Sequence, residues 1–121
     1  KGKMFSRKLN KEIYYRSSYE QKVIEYLEKN DNVLTYLLEP FAIDYLYEKE
    51  NHKRRYLPDF MITYKNGIQK IIEVKPKFML KNSKIQCKHL AAQQYCQEKG
   101  LQFEVWTEDD IKRIESESSS L

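Results

Sequence analysis

The sequence predicts an α/β domain: a mixed β-sheet of about four core strands flanked by helices, in the order α-β-β-β-α-β-α. Three observations predict it. Two stretches repeat apolar residues at helical spacing and are bounded by cap residues. Several short runs are rich in β-branched and aromatic residues and are separated by Pro, Asn and Gly turn signals. One helix lies between two such runs, which requires a crossover and makes that strand pair parallel.

Taken in order, Ser17-Ser18-Tyr19-Glu20 fits a capping box, in which Ser17 satisfies an orphan amide and Glu20 reaches back. The stripe Val23, Ile24, Leu27 then predicts a helix from about Ser17 to Lys29, closed by Asn30-Asp31-Asn32. Beyond Pro40, Phe41 to Tyr47 has strand composition, and Glu48 to Arg55 reads as a charged hairpin loop. Tyr56 to Tyr64 is the next strand, with Pro58 near its start, where a missing amide is tolerated. Lys65-Asn66-Gly67 is a tight turn, and Gln69 to Lys75 is a third strand ended by Pro76. Ile85, His89, Ala92 and Cys96 mark a helix over about Ser83 to Lys99, with Gly100 where a left-handed cap is wanted. Leu101 to Trp106 alternates as a fourth strand. Thr107 caps a short last helix over Glu108 to Ile114.

The 121 residues suffice for one domain with its own core. The expected division is a basic N-terminal arm over 1–16, a main folded domain over 17–115 and a flexible tail over 116–121. With 40% hydrophobic and 33% charged residues, the composition is that of an ordinary soluble globular protein. No apolar run approaches the roughly 20 residues of a membrane-spanning helix. Lys1-Gly2-Lys3-Met4 is basic with no apolar stretch behind it, which predicts no signal peptide. The first residue is not methionine, as expected of a trimmed or fragmentary chain. Cys87 and Cys96 cannot form a disulfide framework and suit a reducing cytoplasm. Secreted, membrane and collagen-like classes are thereby excluded.

The net charge of +4 is mild, but its distribution is uneven. Residues 1–16 carry a net +5, residues 65–88 a net +6, and the last eighteen residues six acids against Lys112 and Arg113. Basic segments in a near-neutral chain point to a polyanion partner, most often nucleic acid. The bland alternative is solvated surface lysine. The candidate backbone contacts are Lys8, Lys11, Arg16, Arg54 and Arg55, and, in the later basic stretch, Lys77, Lys81, Lys84 and Lys88.

Chemistry is concentrated in Pro58-Asp59, in Glu73-Val74-Lys75 and in Glu20. Strand alternation sends Glu73 and Lys75 to one face and Ile72 and Val74 to the other. Asp59 lies on the neighbouring strand, so its carboxylate stands beside that of Glu73. Two adjacent carboxylates repel unless a cation lies between them. A hard divalent ion such as Mg²⁺ suits the pair, and Mn²⁺ substitutes for it. Lys75 would orient a water and offset charge developing on a phosphate.

This pattern resembles the PD-(D/E)XK nuclease superfamily. Tyr15 to Glu20, Glu39-Pro40-Phe41, Arg55 to Phe60, Ile72 to Pro76 and Phe103 to Glu108 follow the order typical of TnsA-like endonucleases, over roughly residues 15–111. Small phage head-completion nucleases look similar over the same stretch. The resemblance implies a restriction-endonuclease-like fold and Mg²⁺-dependent hydrolysis of DNA phosphodiesters to 3′-hydroxyl and 5′-phosphate ends. Its implied setting is transposon end nicking or phage DNA processing and head completion. Glu20 would be the helical acid, Asp59 and Glu73 metal ligands with Glu20 a third, and Lys75 the catalytic lysine. Implied partners besides DNA are a transposase, or phage capsid and neck proteins. Implied locations are the bacterial cytoplasm or, for a phage protein, the virion. Transposon members usually carry a second, C-terminal helical domain, and some have glutamine where Glu73 stands.

Each candidate has a plainer reading. Glu20 serves as a capping carboxylate whatever else it does. Asp59 after Pro58 could cap a turn, although an unpaired charge within an apolar strand is costly. Glu73 and Lys75 could form an exposed strand face. His89, on an apolar stripe, reads as a satisfied core histidine. Cys87, His89 and Cys96 lack zinc-site spacing, there is no glycine-rich phosphate loop, and no Ser-His-Asp order is convincing. Tyr14, Tyr15 and Tyr56 are interleaved with arginines, which suits base stacking or half-buried strand positions equally. The rival to an enzyme is a non-catalytic DNA-binding or phage assembly module that keeps the fold.

Overall fold

The structure is a computed structural model and describes residues 1–120. Its centre is a four-stranded mixed sheet built from β3 (Val33–Leu38), β6 (Phe60–Tyr64), β7 (Gln69–Val74) and β8 (Gln102–Trp106), in that spatial order. β7 and β8 are parallel and the other neighbours antiparallel, which is the expected mixed α/β arrangement. Two hairpins stand outside this sheet: β1 (Gly2–Ser6) with β2 (Lys11–Tyr15), and β4 (Ile43–Tyr47) with β5 (His52–Tyr56).

Helices cover both faces. On one, α1 (Ser18–Lys29) and α3 (Glu108–Ser120) pack with Phe60, Ile62, Ile72 and Tyr36 into the larger core. Val23, Ile24 and Leu27 of α1 are fully buried there, each contributing about 2 kcal/mol of transfer free energy. On the other face lies α2 (Ser83–Lys99), packed on β8 and on the β4–β5 ribbon through Ala92, Tyr45 and Tyr56. The helix ends follow from the side chains at the caps. Ser17 accepts from the Glu20 amide, Asn82 from the Lys84 and Ile85 amides, and Gly100 takes the left-handed conformation (φ 73°) that closes α2.

Four sequence expectations are corrected. The first core strand is β3, not residues 41–47, which form the satellite hairpin. A bulge between Val33 and Thr35 spaces the buried residues Val33 and Tyr36 three apart, so the period-two signal is lost. The charged stretch 48–55 is a loop only at its start. His52–Arg55 are exposed residues of a strand that buries only Tyr56, while its partner β4 buries Ile43 and Tyr45. Residues 1–16 are a hairpin that packs on the core through Ile13 and Ser6, not an arm. The last helix runs past Ile114 to Ser120, with Arg113 paired to Glu117 one turn on. Of the expected tail over 116–121, residues 116–120 are thus helical, and Leu121 lies outside the described residues.

Candidate active site

Phe60 and Ile72 face each other across β6 and β7, and both side chains are fully buried against the α1 side. Alternation therefore turns the next residues, Asp59 and Glu73, toward the α2 side as a further opposed pair. The structure locks them reciprocally. The Asp59 amide donates to Glu73 Oε1 (3.0 Å), and the Val74 amide donates to Asp59 Oδ2 (2.7 Å). One oxygen of each carboxylate is thus held by an amide from the other side of the pair. Glu73 is only 3% exposed. Burial and the neighbouring Glu73 charge push the Asp59 carboxyl up to about 7.

Asp59 opens on a cleft of about 490 Å³ where β7 ends and α1 begins. Ser17 to Glu20 from the first turn of α1 line it on one side, and Val74, Lys75 and Pro76 on the other. Lys75 leaves its amide on Trp106 O (2.9 Å) and makes no ion pair within 4 Å among the described residues. Its ammonium is thus free for a ligand in the cleft.

Glu20 closes the capping box one residue earlier than expected. Its Oε1 accepts from the Arg16 amide (2.9 Å) rather than from Ser17. Its Oε2 meets the Arg16 guanidinium (3.2 Å), which also lies 3.6 Å from Glu39 and 3.6 Å from Asp59 Oδ1. Both oxygens of Glu20 are therefore engaged, and the structure joins it to Asp59 only through Arg16. That guanidinium is a cation placed among three carboxylates, which shows that the acids accept one.

Among the described residues no group of three or more His, Cys, Asp or Glu side chains clusters closely enough to hold a metal. A structural zinc, with four soft ligands, does not fit. A magnesium ion does, since it takes one or two carboxylates and completes its shell with water and phosphate oxygens. The hard oxygens of Asp59 and Glu73 are that donor set.

The expected backbone contacts fare unequally. Lys8 is turned inward, its ammonium donating to Leu27 O (2.6 Å), Asn30 O (2.6 Å) and Val33 O (2.8 Å). All three of its protons are used, so it is a structural lysine that ties the first hairpin to the end of α1. Arg54 pairs with Glu50, Lys77 with Asp109, and Arg55 with Asp44 (3.6 Å). Lys84 reaches Glu50 (3.6 Å), and Lys88 lies over the rings of Tyr45 and Tyr56. Lys11 and Lys81 are exposed and without ion pairs within 4 Å among the described residues. Two residues sit differently from their sequence reading. Arg16, an expected DNA contact, is paired with the acids of the cleft, and Glu20 four residues on has helical ion-pair spacing. His89, expected to be a satisfied core residue, has its Nε2 buried with no hydrogen-bond partner.

Comparison with known proteins gives a family and a relative. A family profile described as TnsA-like endonuclease N terminal matches residues 30–108, which span Asp59, Glu73, Lys75 and the crossover helix. The chain is also 28% identical, over 127 aligned positions, to the head completion nuclease of Enterobacteria phage T4, covering 86% of this chain and 84% of that protein.

Proposed function

The chain belongs to the TnsA-like endonuclease family, and from that premise we propose that it is a Mg²⁺-dependent DNA endonuclease acting in phage DNA processing and head completion. The observation that carries the reading is Asp59, locked reciprocally to the buried Glu73, on one cleft with a lysine that makes no ion pair within 4 Å among the described residues. A module kept only for its fold has no need of two repelling carboxylates held together in this way. Asp59 and Glu73 are the metal-holding residues, and Glu20 joins them once Arg16 is displaced. Bound there, Mg²⁺ supplies Lewis-acid polarisation of the scissile phosphate and a more acidic water.

The residues do the rest. The Lys75 ammonium donates a hydrogen bond to the attacking water and offsets the charge that grows on the phosphate. The water oxygen bonds to phosphorus in line with the breaking P–O3′ bond. The attacking water releases one proton to solvent and the leaving oxygen takes one up, so the products are a 3′-hydroxyl and a 5′-phosphate. The first turn of α1, whose residues line the cleft, favours a phosphate at that edge. Lys81 and Lys88 hold the flanking backbone, and the partners besides DNA are phage capsid or neck proteins. This role requires the bacterial cytoplasm or the virion as its location. No helix among the described residues is long and apolar enough to cross a membrane.

The test is cleavage of supercoiled plasmid with Mg²⁺, with Mn²⁺ and with chelator. Nicked or linear product is expected only with a divalent cation, and Asp59→Ala, Glu73→Ala and Lys75→Ala should each abolish it. No cleavage under any condition, or full activity of Asp59→Ala, overturns the proposal.

A further inference from the structure

His89 sits on the stripe of α2 that faces the sheet, between the buried residues Ile85 and Ala92. Its side chain is 16% exposed, and its ring rests against that of Phe103 with centroids 5.8 Å apart. Because its stripe neighbours are locked into the core, the ring cannot withdraw from the sheet. Nε2 is buried and has no hydrogen-bond partner. A ring nitrogen in that state is costly, and native structures rarely keep one without a use. Facing it is Glu73 Oε2, 3.8 Å away, the one oxygen of that carboxylate not held by the Asp59 amide. The two atoms are about 1 Å beyond hydrogen-bond distance, which a small side-chain rotation closes.

We infer that His89 is a positioning residue for Glu73. Its Nε2–H donates to Oε2 from the side away from the cleft and fixes the carboxylate in the orientation in which it holds a divalent cation. The inference rests on the reading of Asp59 and Glu73 as metal-holding residues. Carboxylates that ligate metals are themselves held by hydrogen bonds from behind, and losing such a partner typically weakens metal binding 10- to 100-fold. His89 touches neither substrate nor reacting atoms in this account. It acts through Glu73.

The experiment compares His89→Leu, His89→Asn and His89→Gln in the full chain by calorimetric Mg²⁺ titration and by melting without metal. Glutamine places an amide N–H about where Nε2 stands, whereas asparagine falls short and leucine has no donor. Leucine and asparagine should weaken the Mg²⁺ Kd about tenfold, and glutamine should stay within threefold of wild type. Metal-free His89→Leu should melt at or above wild type, since it removes an unpaired buried nitrogen. A histidine that only packs gives the reverse pattern, a lower melting temperature with an unchanged Kd, and that result overturns the inference. Equal losses in glutamine and asparagine variants also overturn it. If wild type itself binds neither Mg²⁺ nor Mn²⁺, the metal-holding reading has failed and this inference falls with it. Wild type with normal affinity and variants without effect refutes the role of His89 alone.

Discussion

Arg16 puts a fixed cation where a metal-holding site needs a mobile one, so its removal should tighten metal binding while loosening the fold. The guanidinium lies 3.2 Å from Glu20, 3.6 Å from Glu39 and 3.6 Å from Asp59, with its side chain 56% exposed. Exposure screens each pair to about 0.5 kcal/mol, so the three together amount to roughly 1.5 kcal/mol. Methionine keeps the length of the side chain and deletes the charge. Metal-free Arg16→Met should therefore be less stable by about 1.5 kcal/mol, a fall in Tm of roughly 5 °C for a domain of this size. The pairs with Glu20 and Asp59, about 1 kcal/mol of that sum, no longer oppose a divalent cation, so the Mg²⁺ Kd should fall about fivefold. Melting curves over a Mg²⁺ titration read both effects. The variant should start below wild type and converge on it as the ion is added, because binding to the native state alone stabilises it. Equal metal-free melting temperatures together with equal Mg²⁺ affinities would refute the reasoning. A variant that changes only the salt slope of DNA binding would return Arg16 to the role of backbone contact.

Lys75→Ala should bind Mg²⁺ as tightly as wild type or slightly more so, yet lose cleavage by several orders of magnitude in single-turnover assays. Lys8→Met should lower the melting temperature without altering the salt dependence of DNA binding, whereas Lys81→Ala should flatten the log–log slope by about 0.9. Glu28 receives Ser6 Oγ (2.6 Å), Tyr36 OH (2.7 Å) and the Arg7 and Lys8 amides. Burial opposes its ionisation, but these hydrogen bonds hold the carboxyl below its ordinary value of 4.5. Its stability contribution is therefore complete above that value and is lost as pH falls through the lower folded value. Glu28→Gln should cost about 2 kcal/mol at neutral pH and remove that part of the acid transition, read by urea melts at several pH values.

The legible parts of the fold were those in which one physical signal acts alone. Helices α1 and α2 follow their caps and apolar stripes, and β7 and β8 follow their composition and the helix between them. β3 was missed because its bulge converts alternation into a spacing of three. β5 does not show in the sequence because it buries one tyrosine and its partner strand β4 supplies the rest of the apolar contact with α2. At the candidate site, strand parity singles out Asp59, Glu73 and Lys75, and the structure brings Asp59 and Lys75 to one cleft with Glu73 bonded to the Asp59 amide. The same reasoning fails at Arg16 and His89, whose roles depend on contacts between elements that spacing along the chain does not report.

Charge counting failed at the N-terminus for a related reason. Net charge measures how many cations a segment carries, not how many of their donors are still available. The hairpin β1–β2 carries a net +5 with Arg16, yet Lys8 at its turn is consumed by three carbonyls at the end of α1. At its other end Arg16 is held by the acids of the cleft. The hairpin is thus fastened to both ends of α1, by Lys8 at the last turn and by Arg16 at the first. That double attachment gives α1 a fixed axial position against the sheet, and with it the placement of Glu20 opposite Asp59. The basic character of the segment serves the geometry of the site first, and the exposed cations that remain, Lys1, Arg7 and Lys11, are left to meet a polyanion.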